Sequence, residues 1–212
     1  MKSPKKIVQE GYDKVSHTYR ADELSPTDES YQKYKSWVDG LAQYLKKGQT
    51  ALDLGCGNGV PSTQFLAQNF KVTGVDISPV QIERAQKLVP EASFICGDMS
   101  TLNFAPEEFN AIVCLYAIIH IPLEEQAELL EKIYQWLKPE GFLMLVTGHN
   151  EWTGEASDWL GVEGGDMYWS HADRKTYLQW LQDVGFSILW DRYIPEGDGG
   201  HTLIFARKNK HE

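Results

Sequence analysis

The run Ala51-Leu52-Asp53-Leu54-Gly55-Cys56-Gly57-Asn58-Gly59 constrains the fold more than any other stretch of this chain. Its first part, with Thr50 before it, is apolar and reads as a buried strand ending at Leu54; its second part has glycine at every second position. Pro61 is expected to open a helix, because the first helical turn has no partner for the N–H that proline lacks. A strand passing through a glycine loop into a helix is how α/β proteins build nucleotide sites. Glycines let backbone approach the ligand, and the helix start offers free N–H groups. Taken alone, the same glycines would also serve as an ordinary strand-to-helix turn.

Asp53 sharpens the reading. The dinucleotide pattern G-x-G-x-x-G would put its third glycine at position 60, which is Val60. The loop instead reads D-x-G-x-G-x-G. A carboxylate two residues before the first glycine repels a pyrophosphate and attracts an ammonium or a sulfonium. S-adenosylmethionine carries both cations and no phosphate, so electrostatics favour it over a nicotinamide or flavin dinucleotide. A second strand, Val72–Asp76, ends in Asp76, where an acidic side chain is placed to accept from both ribose hydroxyls. A third, Ser93–Cys96, leads to Gly97-Asp98-Met99. There Asp98 is placed to accept from the adenine amino group and the Met99 N–H to donate to the ring. Each aspartate, taken singly, also reads as a helix cap.

With DLGCGNG, GVDIS and GDM followed by FNAIVCLYAIIHIP and LKPEGFLML, the chain resembles the class I S-adenosylmethionine-dependent methyltransferases, from about Leu45 to about Arg207. The order and spacing of these pieces carry the resemblance. It implies that Asp53, Gly55 and Gly57 hold the methionine part of the donor. It implies also that Asp76 and Ile77 hold ribose and adenine, and that Asp98 and Met99 hold adenine. Leu115 matches a position that often touches the cofactor, although a polar residue is frequent there. Tyr12 and Tyr19 are expected to close the site from the N-terminal helix, or else to pack on its Val8–Val15 face.

The expected architecture is a Rossmann-like α/β fold: a mostly parallel seven-stranded sheet, helices on both faces and a C-terminal antiparallel hairpin. Its length of 212 residues suits one domain. That domain divides into a helical cap (1–47), a cofactor core (48–147), a lid insertion (148–172) and a C-terminal helix with hairpin (173–212). Val8, Tyr12, Val15 and Tyr19 mark one helix face, and Tyr34, Val38, Leu41 and Leu45 another. Further helices are expected at Pro61–Gln68, Pro79–Leu88, Leu123–Leu137, with Gly141 as its stop signal, and Asp173–Val184, stopped by Gly185. Strands at Ala111–Leu115 and Phe142–Thr147 complete the parallel set. Phe186–Ile194 and Thr202–Arg207 form the hairpin around a Pro195–His201 turn.

Composition narrows the partners. A net charge of −10 with no basic stripe argues against nucleic acid. So does the lack of an Asn/Asp-Pro-Pro-aromatic clamp or a Pro-Cys nucleophile. No apolar run approaches the roughly 20 residues a membrane span needs, and the basic stretch Lys2–Lys6 lacks the apolar core of a signal peptide. Cys56, Cys96 and Cys114 are isolated, with Cys96 and Cys114 on strands expected to be buried; they read as reduced thiols of a cytoplasmic protein. No zinc spacing appears, and no metal is expected.

Ligands of open parallel sheets bind beyond the strands' carboxyl ends. The segment Gly148–Ala172, expected to be one long loop, starts there and carries Trp152, Trp159, Tyr168 and Trp169. It reads as a lid walling an acceptor pocket. The Pro195–His201 turn would bring Glu196, Asp198 and His201 to the same mouth. His120 is the first candidate for a general base, followed by His149 and His201. The expected activity is methyl transfer by in-line displacement to a small, partly apolar acceptor. A non-catalytic donor-binding regulator and, further off, a nicotinamide-dependent oxidoreductase are the alternatives.

Overall fold

The computed structural model describes residues 2–210; Met1, His211 and Glu212, the ends of the expected single domain, lie outside the described residues. In chain order the elements are α1 (Pro4–Tyr19), α2 (Glu29–Ala42), β1 (Thr50–Leu54), α3 (Ser62–Ala67), β2 (Lys71–Asp76), α4 (Pro79–Leu88), β3 (Ser93–Cys96) and β4 (Phe109–Cys114). They continue through α5 (Leu123–Trp136), β5 (Leu137–Gly148), β6 (Trp152–Ala156), β7 (Met167–His171), α6 (Arg174–Val184), β8 (Phe186–Glu196) and β9 (Gly199–Lys208).

Because Ala51–Leu54 are all buried, β1 lies in the interior of the main sheet. That sheet has seven strands in the order β3-β2-β1-β4-β5-β9-β8. The pairs β1–β2, β2–β3, β1–β4 and β4–β5 are parallel, and β9 is antiparallel to both β5 and β8. Side chains alternate between two cores, as the period of two requires. Leu52, Leu54, Leu143 and Leu145 pack with Leu130, Ile133 and Tyr177 of α5 and α6. Ala51, Val113, Met144 and Val146 pack on the other face with Val38, Leu41 and Phe65 of α2 and α3.

Local chemistry sets the helix ends. Ser78 and Asp173 cap α4 and α6 by accepting from Gln81 N–H and Thr176 N–H at 3.1 and 2.8 Å. Gly185 closes α6 at φ 113°, a left-handed position suited to glycine.

Five expectations need correction. Pro61 precedes α3 instead of occupying its first position. Helix α5 stops at Trp136, because Leu137 pairs with Phe109 in the sheet; Gly141 is no helix cap but an approach point, where a Cβ would meet Lys138 O at 2.8 Å. Cys96 is exposed, since β3 is an edge strand, whereas Cys114 in the sheet interior is buried. Finally, 148–172 is not an open loop: β6 and β7 pair as a separate antiparallel hairpin. The Pro195–His201 turn likewise tightens to Gly197-Asp198, with Glu196 paired to Gly199.

Beyond β1 the chain moves outward through β2 and β3, then crosses back to β4 on β1's other side. Such a reversal leaves a crevice at the carboxyl ends of β1 and β4, where open α/β sheets take their ligands.

Candidate functional site

A cleft occupies that crevice, between the glycine loop, the end of β2 and the segment after β4. Tyr19, Gly55, Gly57, Asp76, Ile77, Asp98, Met99, Leu115 and His120 all line it. Asp53 lies in an adjoining recess of about 400 Å³ that shares Tyr19, Gly55, Gly57 and Leu115 with the cleft. The residues expected to hold the donor therefore come together around two adjoining spaces with walls in common.

The glycine loop explains how. Gly55, Gly57 and Gly59 have φ of 74°, 56° and 80°, so the chain doubles back in a conformation costly to other residues. A Cβ on Gly55 would stand 2.1 Å from Ala117 Cβ, closing the approach between the loop and the segment after β4. The turn brings Gly57 N–H onto Asp76 Oδ2 at 2.8 Å, while Ser78 N–H donates to Oδ1 at 2.9 Å. Burial pushes the Asp76 carboxyl up to about 6, against the pull of these two N–H groups. Asp53, 1% exposed, is likewise raised to about 6 by burial, with the Thr63 hydroxyl donating to it at 2.7 Å and opposing the shift. Two buried carboxylates, neither in an ion pair among the described residues, make this space receptive to positive charge.

Three further groups stand where a donor of that kind has polar atoms, and the sequence did not single them out. Gln81, fully buried in α4, borders both the cleft and the recess. Ser16 donates to its Oε1 at 2.8 Å, which turns the amide; its Nε2 is buried without a hydrogen-bond partner. Ser62 Oγ borders the recess and faces the Asp53 carboxyl, whose pKa it helps Thr63 hold down. A buried donor without a partner is costly, so a polar ligand atom fits beside Gln81 Nε2. Arg20 borders the recess with its guanidinium over the rings of Tyr19 and Tyr34, at 5.3 and 5.5 Å. As the residue after a helix it carries no periodic signal.

Helix α1 roofs the cleft. Arg84 of α4 donates to Ser16 O and Arg20 O at 2.6 and 2.7 Å and pairs with Asp22, tying down the helix's C-terminal end. At the other end Lys5 contacts Asp98 at 2.8 Å, Ser100 at 2.7 Å and Glu125. Asp98 is thus engaged by a cation of the roof.

His120 meets Tyr12 Oη through Nε2 at 2.9 Å and donates from Nδ1 to Tyr168 O at 2.8 Å. Burial drags its pKa down to about 4, against the Tyr168 carbonyl. Both ring nitrogens are engaged and the ring is neutral at pH 7, an arrangement suited to holding Tyr12 in the cleft wall. The hairpin β6–β7 packs onto the same place: Trp159 lies 6.0 Å from Tyr12 and 5.4 Å from Tyr19, and Trp169 lies 5.7 Å from His120, ring to ring.

Opposite, the β8–β9 hairpin reaches the mouth, because β8 runs parallel to β5 and its turn falls at the ligand edge. Tyr116, which lines the cleft at φ 62°, donates to Glu196 Oε1; Lys33 of α2 stands 3.0 Å from the phenol oxygen and 3.1 Å from that carboxylate oxygen. Burial would raise Glu196, but His201, Tyr116 and Lys33 outweigh it and hold the carboxyl near 2. Asp198 remains at the tip of the turn.

Residues 51–141 match the family described as "Methyltransferase domain". An uncharacterized methyltransferase of Synechocystis sp. is 32% identical over 175 residues, covering 78% of this chain and 79% of that protein. The chain belongs to the class I S-adenosylmethionine-dependent methyltransferases. Sterol 24-C-methyltransferase of Candida albicans is 29% identical over 73% of this chain, which spans only 44% of that longer relative. The fold matches magnesium protoporphyrin IX methyltransferase of Synechocystis, solved with bound S-adenosylmethionine, with a TM-score of 0.75, 19% identity and 99% of each chain covered. For a methyltransferase of this class, the acidic ends of β1 and β2 and the glycine loop between them have a chemical reason: the donor is a cation. Among the described residues no helix is long and apolar enough to cross a membrane.

Proposed function

We propose that this protein moves a methyl group from S-adenosylmethionine to a small, partly apolar acceptor in the cytoplasm. The observation that carries this reading is the pair of buried carboxylates, Asp53 and Asp76, neither ion-paired among the described residues, bordering two adjoining spaces whose shared wall includes the unpartnered amide of Gln81. When bound, S-adenosylmethionine supplies a methyl group on a sulfonium, open to in-line displacement.

The chain's own groups divide the work. Asp76 accepts from the ribose hydroxyls, and Ile77, Asp98 and Met99 border the adenine. The loop at Gly55 and Gly57 holds the methionine part, with Asp53 facing its ammonium and Arg20 its carboxylate. Gln81 donates into the same space from Nε2. Tyr12, Tyr19 and the Trp159–Trp169 lid exclude water, and Leu115 and Tyr116 face the acceptor side. His120 acts through Tyr12, which it orients. Alignment alone is worth roughly 7–11 kcal/mol, so no metal is called for. Nucleic acid is a poor acceptor for a chain of net charge −10.

The test is thermal denaturation with S-adenosylhomocysteine and with NAD, followed by a screen of small metabolites for methyl-dependent release of S-adenosylhomocysteine. Stabilisation by the adenosyl compound alone, with turnover of a small acceptor, is expected. Binding without turnover of any acceptor would favour a regulator, and stabilisation by NAD would overturn the assignment.

A further inference from the structure

We propose that His201 takes the proton of the methyl acceptor, and that the acceptor is a small planar hydroxyl compound of the phenol class seated between the two hairpins. The proposal rests on the donor reading above and adds the acceptor's place and chemistry to it.

A recess with about 900 Å³ of empty space separates the hairpins, with Trp152, Trp169 and His171 on the lid side and Gly199, Gly200 and His201 on the other. Flat side chains dominate it. Trp152, 49% exposed, stands 6.0 Å from Trp169 and 6.1 Å from His171, ring to ring, so an apolar planar surface is open to solvent here. The His171 ring fits only because residue 148 is glycine: a Cβ there would stand 1.9 Å from Nδ1. A planar ligand would cover this surface by stacking. The walls of the recess and of the donor cleft touch at two points. His201 lies 5.0 Å from Tyr116, and Trp169 lies 5.7 Å from His120, and both Tyr116 and His120 line the cleft.

His201 has the surroundings of a base. Its Nδ1 is 3.2 Å from Glu196 Oε2, yet off the line of a hydrogen bond, and is otherwise buried without a partner. A small rotation aligns the pair. Glu196 is pinned for that purpose, its other oxygen taken by Tyr116 and Lys33. A carboxylate on one imidazole nitrogen fixes the tautomer and stabilises the imidazolium, leaving the other nitrogen to accept a proton. The titratable groups around His201 are Tyr116 after β4, Glu196 from β8 with Lys33 of α2 on its other oxygen, Glu151 and His171 in the same recess and, farther off, His120. His120 is spent on Tyr12 and Tyr168. Tyr116 keeps a positive φ of 62°, and strain of that kind persists where the surroundings enforce it.

In the step so drawn, the acceptor O–H bond breaks and its proton goes to Nε2 of His201. The oxygen forms a bond to the methyl carbon as the sulfonium's S–CH3 bond breaks, and that electron pair stays on sulfur as a neutral thioether. An amine that is already neutral would need no such base, because it can shed its proton to water after transfer.

The probe is 4-nitrophenol, whose ionised form is coloured, added to the protein saturated with S-adenosylhomocysteine. Tryptophan quenching is expected to report binding, and the bound phenol should ionise below its solution pKa. His201→Gln should cut the bound phenolate fraction at about pH 6 roughly tenfold, with Glu196→Gln intermediate and S-adenosylhomocysteine affinity within about twofold of wild type. Trp152→Ala, at an exposed position that folding tolerates, should weaken the phenol about tenfold. If S-adenosylhomocysteine itself fails to bind, the donor reading falls and this proposal with it. If it binds but 4-nitrophenol does not, or binds Trp152→Ala equally well, the recess is not the acceptor site. If ionisation is unchanged in His201→Gln, His201 is not the base.

Discussion

At the scale of single residues, donor binding turns on buried carboxylates that have no ion-pair partner among the described residues. Asp76→Ala should weaken S-adenosylhomocysteine binding by about 1.5–3 kcal/mol, roughly 10- to 150-fold, because it removes an ionised acceptor for two hydroxyls; calorimetry checks it. Arg20→Ala should weaken S-adenosylhomocysteine about tenfold and leave 5′-methylthioadenosine, which lacks the carboxylate, unchanged. Equal losses for both ligands would remove Arg20 from the carboxylate. The raised carboxyls also set a pH dependence. Burial lifts Asp53 and Asp76 from 3.8 to about 6, so the stability each contributes is whole below 3.8 and lost as pH rises through about 6. Asp53→Asn should therefore stabilise the ligand-free protein at pH 7 by on the order of 2 kcal/mol and bring little gain near pH 4. A gain independent of pH would contradict this. Asp53, Asp76 and Asp98 were legible in the sequence because each stands at or near the end of a strand, in order along the chain from the glycine loop. Gln81 and Arg20 were not. One looks like a polar helix residue and the other like a surface arginine, until Ser16, Tyr19 and Tyr34 are seen beside them.

Among elements, α1 and the β6–β7 hairpin govern access. Lys5 bridges the roof to Asp98, Ser100 and Glu125, at positions that are only partly buried. Such a pair is worth no more than about 1 kcal/mol, so Lys5→Ala should speed S-adenosylhomocysteine dissociation by at most about fivefold, and added salt should erase the difference. Stopped-flow displacement measures it, and an unchanged rate at low salt would show that α1 does not gate the cleft. Strands β1 and β3 were readable from apolar runs, and the end of α6 from the Gly185 that stops it. The lid hairpin escaped notice for a physical reason. Its strands Trp152–Ala156 and Met167–His171 are largely exposed or half-buried, with a glycine inside one, so neither shows the alternation that a buried face imposes. The Pro195–His201 turn was overestimated because its glycines suggested a longer loop. Only the pairing of Glu196 with Gly199 tightens it.

At the scale of the whole molecule, the donor is part of the fold's stability. A ligand at 100 times its Kd stabilises the native state by about 2.7 kcal/mol, which for a chain of this length raises Tm by roughly 5–10 °C. The sheet order and the crevice between β1 and β4 follow from strand–helix alternation, which is why the architecture was legible. The acceptor side was less so, since it forms only where α2, the segment after β4, the lid and the β8–β9 hairpin converge, far apart in sequence. The most direct measurement is calorimetry with S-adenosylmethionine at about pH 5 and pH 7.5 on the wild type and on Asp53→Asn. The cation should bind more tightly at the higher pH, with proton release, because it favours the ionised form of carboxyls whose pKa lies near 6. In the variant both the pH gain and the proton release should shrink. Equal affinity at both pH values in both proteins, or tighter binding of NAD than of S-adenosylmethionine, would contradict the account.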